Sequence, residues 1–179
     1  MNAANLISLM RLVLVPLVIW LVLDDRWLSA LAAFVLAAVS DFVDGFLARR
    51  FGMQTKFGAM LDPVADKAML ISLFVLLGLR GYLPAWLVIL LVSRDVVIVG
   101  GVLLSRALAF DQKIAPVLIG KANTAAQFLL VALVLASLSF KWSVDIIVTL
   151  LCYLTAATAL LSAAIYAIGW HRSQAGGKA

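Results

Sequence analysis

Four aspartates, Asp41, Asp44, Asp62 and Asp66, form two pairs spaced three and four residues apart in a chain otherwise poor in charge. Either spacing sets both carboxylates on one face of a helix. An ionisable residue in or near a bilayer is costly, so it marks a functional site by default. All nine acids of the chain are Asp, whose short reach suits a fixed metal cage. Four converging carboxylates repel in low dielectric and stay ionised around hard divalent cations, which prefer oxygen ligands. Two such ions about 3.5–4 Å apart are the usual arrangement for displacement at phosphorus. The expected cofactor is therefore Mg²⁺ or Mn²⁺, as two ions, held by Asp41, Asp44, Asp62 and Asp66. Asp66, one turn deeper, is also the expected general base. Gly45 and Gly58 remove side chains where two helices or a ligand must come close.

The elements that position these residues follow from composition. The chain has 179 residues, 65% hydrophobic and 13% charged, where soluble domains run to about 45–50% apolar and 25% charged. This predicts an all-α integral membrane protein. Six apolar segments, roughly 6–23, 27–50, 58–79, 83–106, 116–139 and 143–169, are bounded by charge, Gly or Pro, and each reaches the ~20 residues a span needs. The second would be about 36 Å long, so its last turns protrude and carry Asp41 and Asp44 toward one membrane face. Residues 1–170 are expected to form a single transmembrane catalytic domain, with 171–179 a polar tail that frays from His171 onward.

Charge gives the orientation. Arg11, Arg49, Arg50, Lys56, Arg106, Lys113, Lys121, Arg172 and Lys178 fall on one side and only Arg26, Arg80 and Lys141 on the other. By the positive-inside rule both termini and the aspartates are cytoplasmic. Trp20, Trp27, Trp86 and Trp142 fall at outer segment ends and Trp170 at an inner one, as an interfacial belt requires. The net charge of +5 is read as contact with anionic lipid head groups, and nucleic acid is not an expected partner. The lone Cys152 excludes an internal disulfide. The sequence shows neither a cleavable signal nor a transit peptide, so the expected location is a bacterial inner membrane.

The pattern Asp41-x2-Asp44-Gly45-x2-Ala48-Arg49-x8-Gly58-x3-Asp62-x3-Asp66 resembles the signature of the CDP-alcohol phosphatidyltransferases. Asn5-x2-Ser8-x2-Arg11 and Gly120-Lys121-x-Asn123-Thr124-x2-Gln127 extend the resemblance over most of the chain. It implies that Asp41, Asp44 and Asp62 are metal ligands, with Asp66 a further ligand and the catalytic base. It also implies a CDP-binding wall of Gly45, Ala48, Arg49 and Gly58, joined by Asn5 and Ser8, and a homodimer. The implied reaction is attack by an acceptor hydroxyl, deprotonated by Asp66, on the phosphorus of CDP-diacylglycerol that bears the diacylglycerol. CMP leaves.

The second half of the chain bears on the acceptor. Family members that use glycerol 3-phosphate typically carry Lys-x-Lys-Thr at the fifth helix, and here Asn123 takes the place of the second Lys. Ser93-Arg94-Asp95-Val96-Val97 and Thr155-Ala-Ala-Thr158 are more similar to CMP-forming cardiolipin synthases. In that reading the acceptor is phosphatidylglycerol, its phosphodiester held by Arg94 and Lys121, and the product is cardiolipin. The aspartate motif equally resembles phosphatidylglycerophosphate synthases, which keeps glycerol 3-phosphate as the alternative.

Blander readings compete. Arg94 can be half of a buried pair with Asp95, Lys121 can snorkel, and Asn5 and Ser8 can merely cap a helix. The four aspartates can be helix-end charges neutralised by Arg49, Arg50 and Lys67, while Asp24, Asp25, Asp111 and Asp145 read as loop charges. An ion transporter is the rival from another class, but the acids cluster at one face and no inverted repeat is evident.

Overall fold

The computed structural model describes the backbone of residues 3–51, 58–107 and 118–176, and the side chains of 13–40, 67–98, 100 and 119–166. Among the described residues the chain is all helix: α1 (Ala3–Leu23), α2 (Trp27–Phe51), α3 (Gly58–Leu79), α4 (Ala85–Ala107), α5 (Leu118–Phe140) and α6 (Asp145–Gly176). These match the six apolar segments to within a few residues, except at the C-terminus. There the tail from His171, expected to fray, continues α6 as far as Gly176. No Gly or Pro interrupts His171–Ala175, and Arg, Gln and Ala are good helix formers. Asp145 likewise opens α6 rather than lying in a loop, and a carboxylate there faces the positive end of the helix dipole.

Three helices stop by the same device. At the end of α1 the Arg26 N–H donates to Leu21 O at 2.9 Å and the Asp25 N–H to Val22 O at 3.3 Å. At the end of α3 the Tyr82 N–H reaches Leu77 O at 2.9 Å and the Gly81 N–H reaches Gly78 O at 3.0 Å. At the end of α5 the Trp142 N–H reaches Ser137 O at 3.1 Å. This reverse bonding, which satisfies the last carbonyls, needs a left-handed residue just past the helix. Asp25, Gly81 and Lys141 supply it, with φ of 56°, 78° and 54°. Only Gly81 adopts this conformation without strain.

The resulting connections are short and lie at one end of the bundle. Arg80 joins the first two: its Nη1 donates to Asp25 Oδ1 and its Nη2 to Leu23 O at 2.8 Å. Its guanidinium stands 5.5 Å from the Trp27 ring centroid, and Trp27 meets Tyr82 edge-on at 5.4 Å. The third turn shares that end, because Trp86 stacks on Tyr153 at 5.7 Å and Arg94 bonds Ser162. Both contacts advance along α4 and α6 in the same direction, so those two helices run parallel. The exposed Trp20, Trp86 and Trp142 crowd this rim as the belt argument requires.

α1 packs on α2 and α3, α2 and α6 pack on α5, and α4 packs on α3 and α6. Phe34 of α2 stacks on Phe128 of α5 at 5.4 Å. Close approach of α3 to α4 depends on Gly78, where a Cβ would stand 2.7 Å from Val88 Cγ2. Among the described residues α2 and α3 do not touch directly; each packs on both α1 and α5. The convergence of their four carboxylates, expected from the sequence, lies outside the described side chains.

The outer surface is as greasy as the core. Val22, Phe34, Leu73, Leu87 and Leu135 are buried, yet Leu36, Leu79, Ile89, Val97 and Ile146 are well exposed. Helices apolar on every side belong in lipid or a deep core. Among the described residues, Ile119–Phe140 and Asp145–Tyr166 are long and apolar enough to cross a membrane, and Val13–Leu23, Trp27–Ser40 and Lys67–Leu79 are shorter apolar stretches.

Candidate active site

Topology brings the chemistry-bearing residues to the end opposite the three turns. Asp41, Asp44, Gly45, Ala48 and Arg49 lie in the second half of α2, Gly58, Asp62 and Asp66 in the first half of α3, and Asn5 and Ser8 near the start of α1. Their side chains lie outside the described residues. The donor set can still be tested against a metal: four carboxylates from two helices are the hard oxygen ligands that Mg²⁺ or Mn²⁺ accepts. The residues fit.

The side chains described nearest this end form a polar network inside the bundle. Arg94 and Asp95 sit side by side on α4, and both are buried. Arg94 Nη1 donates to Asp95 Oδ1 at 2.6 Å and Nη2 to Ser162 Oγ of α6 at 2.5 Å. Lys67, the residue after Asp66, donates to the other carboxylate oxygen, Asp95 Oδ2, at 3.0 Å and to Thr124 Oγ1 of α5 at 3.5 Å. Thr124 in turn donates to Gly120 O at 3.2 Å. The Asp95 carboxylate thus joins α3 to α4 directly, and its two cations carry the network on to α5 and α6. Gly120 leaves room beside the network: a Cβ there would stand 3.7 Å from both Ser162 Oγ and Tyr166 Oη and 3.9 Å from Arg94 Nη2.

A second layer is neutral. Asn123 is fully buried and accepts from Thr158 Oγ1 at 3.0 Å. Gln127, one turn along α5, is also fully buried. Arg94 Nε, Asn123 Nδ2 and both ends of the Gln127 amide have no partner within the described protein. Leaving a buried polar group unpaired costs about 1–3 kcal/mol. With three donors against one acceptor in that set, a guest rich in acceptor oxygens suits it best.

Two expectations from the sequence meet this geometry directly. Arg94 does form the buried pair with Asp95, while its Nε–H has no partner among the described residues. Lys121 lies in the first turn of α5 and is exposed. Lys67 pairs with Asp95 in the described structure, a link the sequence reading missed. A signal existed: Lys67 and Asp95 are opposite charges within otherwise apolar helices, and such charges pair with one another.

Comparison with known proteins agrees with the motif. The family model described as CDP-alcohol phosphatidyltransferase matches residues 1–168. The chain is 31% identical over 190 residues to the rice protein named CDP-diacylglycerol--glycerol-3-phosphate 3-phosphatidyltransferase 1, chloroplastic, covering 96% of this chain and 58% of that one. It is 34% identical over 178 residues to rat cardiolipin synthase (CMP-forming), covering 90% and 59%. With the Aquifex aeolicus CDP-diacylglycerol--glycerol-3-phosphate 3-phosphatidyltransferase it shares 40% identity over 111 residues, 59% of this chain and 61% of that one. The chain spans less than two thirds of the length of these curated relatives. With the motif and a family model that matches residues 1–168 in agreement, the chain belongs to the CDP-alcohol phosphatidyltransferase family.

Proposed function

We propose that the protein transfers a phosphatidyl group from CDP-diacylglycerol to the free hydroxyl of phosphatidylglycerol, giving cardiolipin and CMP. The acceptor choice is carried by Asn123, which is neutral, fully buried and bonded to Thr158. A cation that would fix a soluble phosphorylated alcohol is absent from that position. The second reading, transfer to glycerol 3-phosphate, is favoured by the names of the rice and Aquifex relatives.

In either case Asp66 takes the proton of the acceptor hydroxyl. The freed oxygen forms a bond to the phosphorus bearing the diacylglycerol, the bond from that phosphorus to CMP breaks, and CMP departs with the electron pair. Asp41, Asp44, Asp62 and Asp66 would hold two divalent ions, Mg²⁺ or Mn²⁺, which when bound neutralise the charge of the nucleotide pyrophosphate. Gly45, Ala48, Arg49 and Gly58, with Asn5 and Ser8, would line the CDP site. Arg94 and Lys121 would hold the acceptor phosphate, Arg94 through the edge that Asp95 and Ser162 leave free. The setting is a single six-span domain over residues 1–170, a homodimer in a bacterial inner membrane with its aspartates at the cytoplasmic face. The exposed apolar surface and the charge asymmetry support that setting.

The test supplies purified protein with CDP-diacylglycerol and each acceptor separately, following CMP and the lipid product. Phosphatidylglycerol is expected to drive CMP release, and a chelator to stop it until Mg²⁺ or Mn²⁺ is restored. Release with glycerol 3-phosphate alone would select the second reading, and release with neither would remove both.

A further inference from the structure

Asp95 is the one carboxylate in the described polar network, and two cations depend on it. Its Oδ2 accepts from Lys67 Nζ at 3.0 Å and its Oδ1 from Arg94 Nη1 at 2.6 Å. The side chains of Asp95, Arg94 and Lys67 are 3%, 7% and 17% exposed. A cation so far from water settles where its counter-charge stands, since an unpaired buried charge carries a heavy desolvation penalty. The carboxylate therefore dictates where Lys67 Nζ and the Arg94 guanidinium stand. Ser162 fixes the guanidinium at a second point, 2.5 Å from Nη2. Among the described residues Arg94 Nε–H has no partner, and a guanidinium carries five N–H donors in one rigid fork, so the pinned group keeps an edge to offer an anion. Within the described network two positive side chains share this one carboxylate.

We propose that Asp95 is a positioning residue for the transfer: by holding Lys67 and Arg94 in place it presents their charge to the acceptor's phosphate without touching substrate itself. This deepens the phosphatidyltransferase reading and rests on it. The test compares the intact protein with Asp95→Asn, which keeps the side chain's shape and removes its charge. The acceptor KM is expected to rise about tenfold, the scale of one charge-assisted bond. KM for CDP-diacylglycerol and kcat are expected to stay within about twofold. Asp95→Glu restores part of the loss. In a Lys67→Gln background, Asp95→Asn adds less than it does alone, because the two side chains act as a unit. A merely structural role would lower the melting temperature and the folded yield with both KM values unchanged. That outcome, an equal rise in both KM values, or no change overturns the proposal. If Asp95→Asn does not fold, Asp95→Glu carries the same comparison of the two KM values.

Should the wild-type protein release no CMP with either acceptor, the phosphatidyltransferase reading fails separately. The positioning role is then read by heat protection. Inorganic phosphate is expected to raise the melting temperature of the wild type and to leave the Asp95 variant unmoved. Equal protection of both proteins, or of neither, overturns it.

Discussion

Replacing Asp66 with Asn preserves the size of the side chain and removes its basicity. A positioned general base contributes about 10²–10⁴-fold, so Asp66→Asn is expected to cut CMP release by that factor while the melting temperature stays close to that of the wild type. Full turnover in that variant would move the base elsewhere. The four aspartates stand out in the sequence by type and spacing, while their side chains lie outside the described residues. The Lys67–Asp95 link was not legible, since its members are 28 residues apart and only the packing of α3 on α4 brings them together. Asn123 was legible as a departure from a pattern. Its burial and its bond to Thr158 were not, because they depend on how α5 rolls against α6.

Six helices were readable at the scale of the element because apolar length is a strong signal in a chain with so little charge. Their ends were less so. Gly81 advertises a stop, but Asp25 and Lys141 reach the same left-handed conformation without being glycine, and nothing local announces them. Polar composition past His171 predicts fraying, yet helix continues to Gly176. Gly78 shows what a small residue does between elements. A Cβ there would lie 2.7 Å from Val88 Cγ2, so Gly78→Val forces α3 and α4 apart. Overpacking of this kind costs about 1–3 kcal/mol, and thermal unfolding in detergent is expected to show a lowered midpoint. An unchanged midpoint would mean that α4 moves aside freely.

At the scale of the whole molecule, the proposed orientation rests on the uneven distribution of basic residues along the sequence and on the rim of Trp and Tyr. The native Cys152 is buried, so thiol labelling can report other positions against a quiet background. In sealed vesicles of known sidedness, Asp24→Cys is expected to react with an impermeant thiol reagent added outside and Ser173→Cys only after lysis. The reverse result would invert the orientation. The turns at the aromatic rim have a mechanical meaning as well. Arg80 rivets the first hairpin to the second through Asp25, Leu23 and Trp27, so the helices are tied together at the end opposite the aspartates. Any tilt that pivots on this riveted collar displaces the far tips most, as the blades of shears swing widest away from the screw. For the proposed transfer between two lipids, such a tilt would open the aspartate-bearing tips for the smallest disturbance elsewhere.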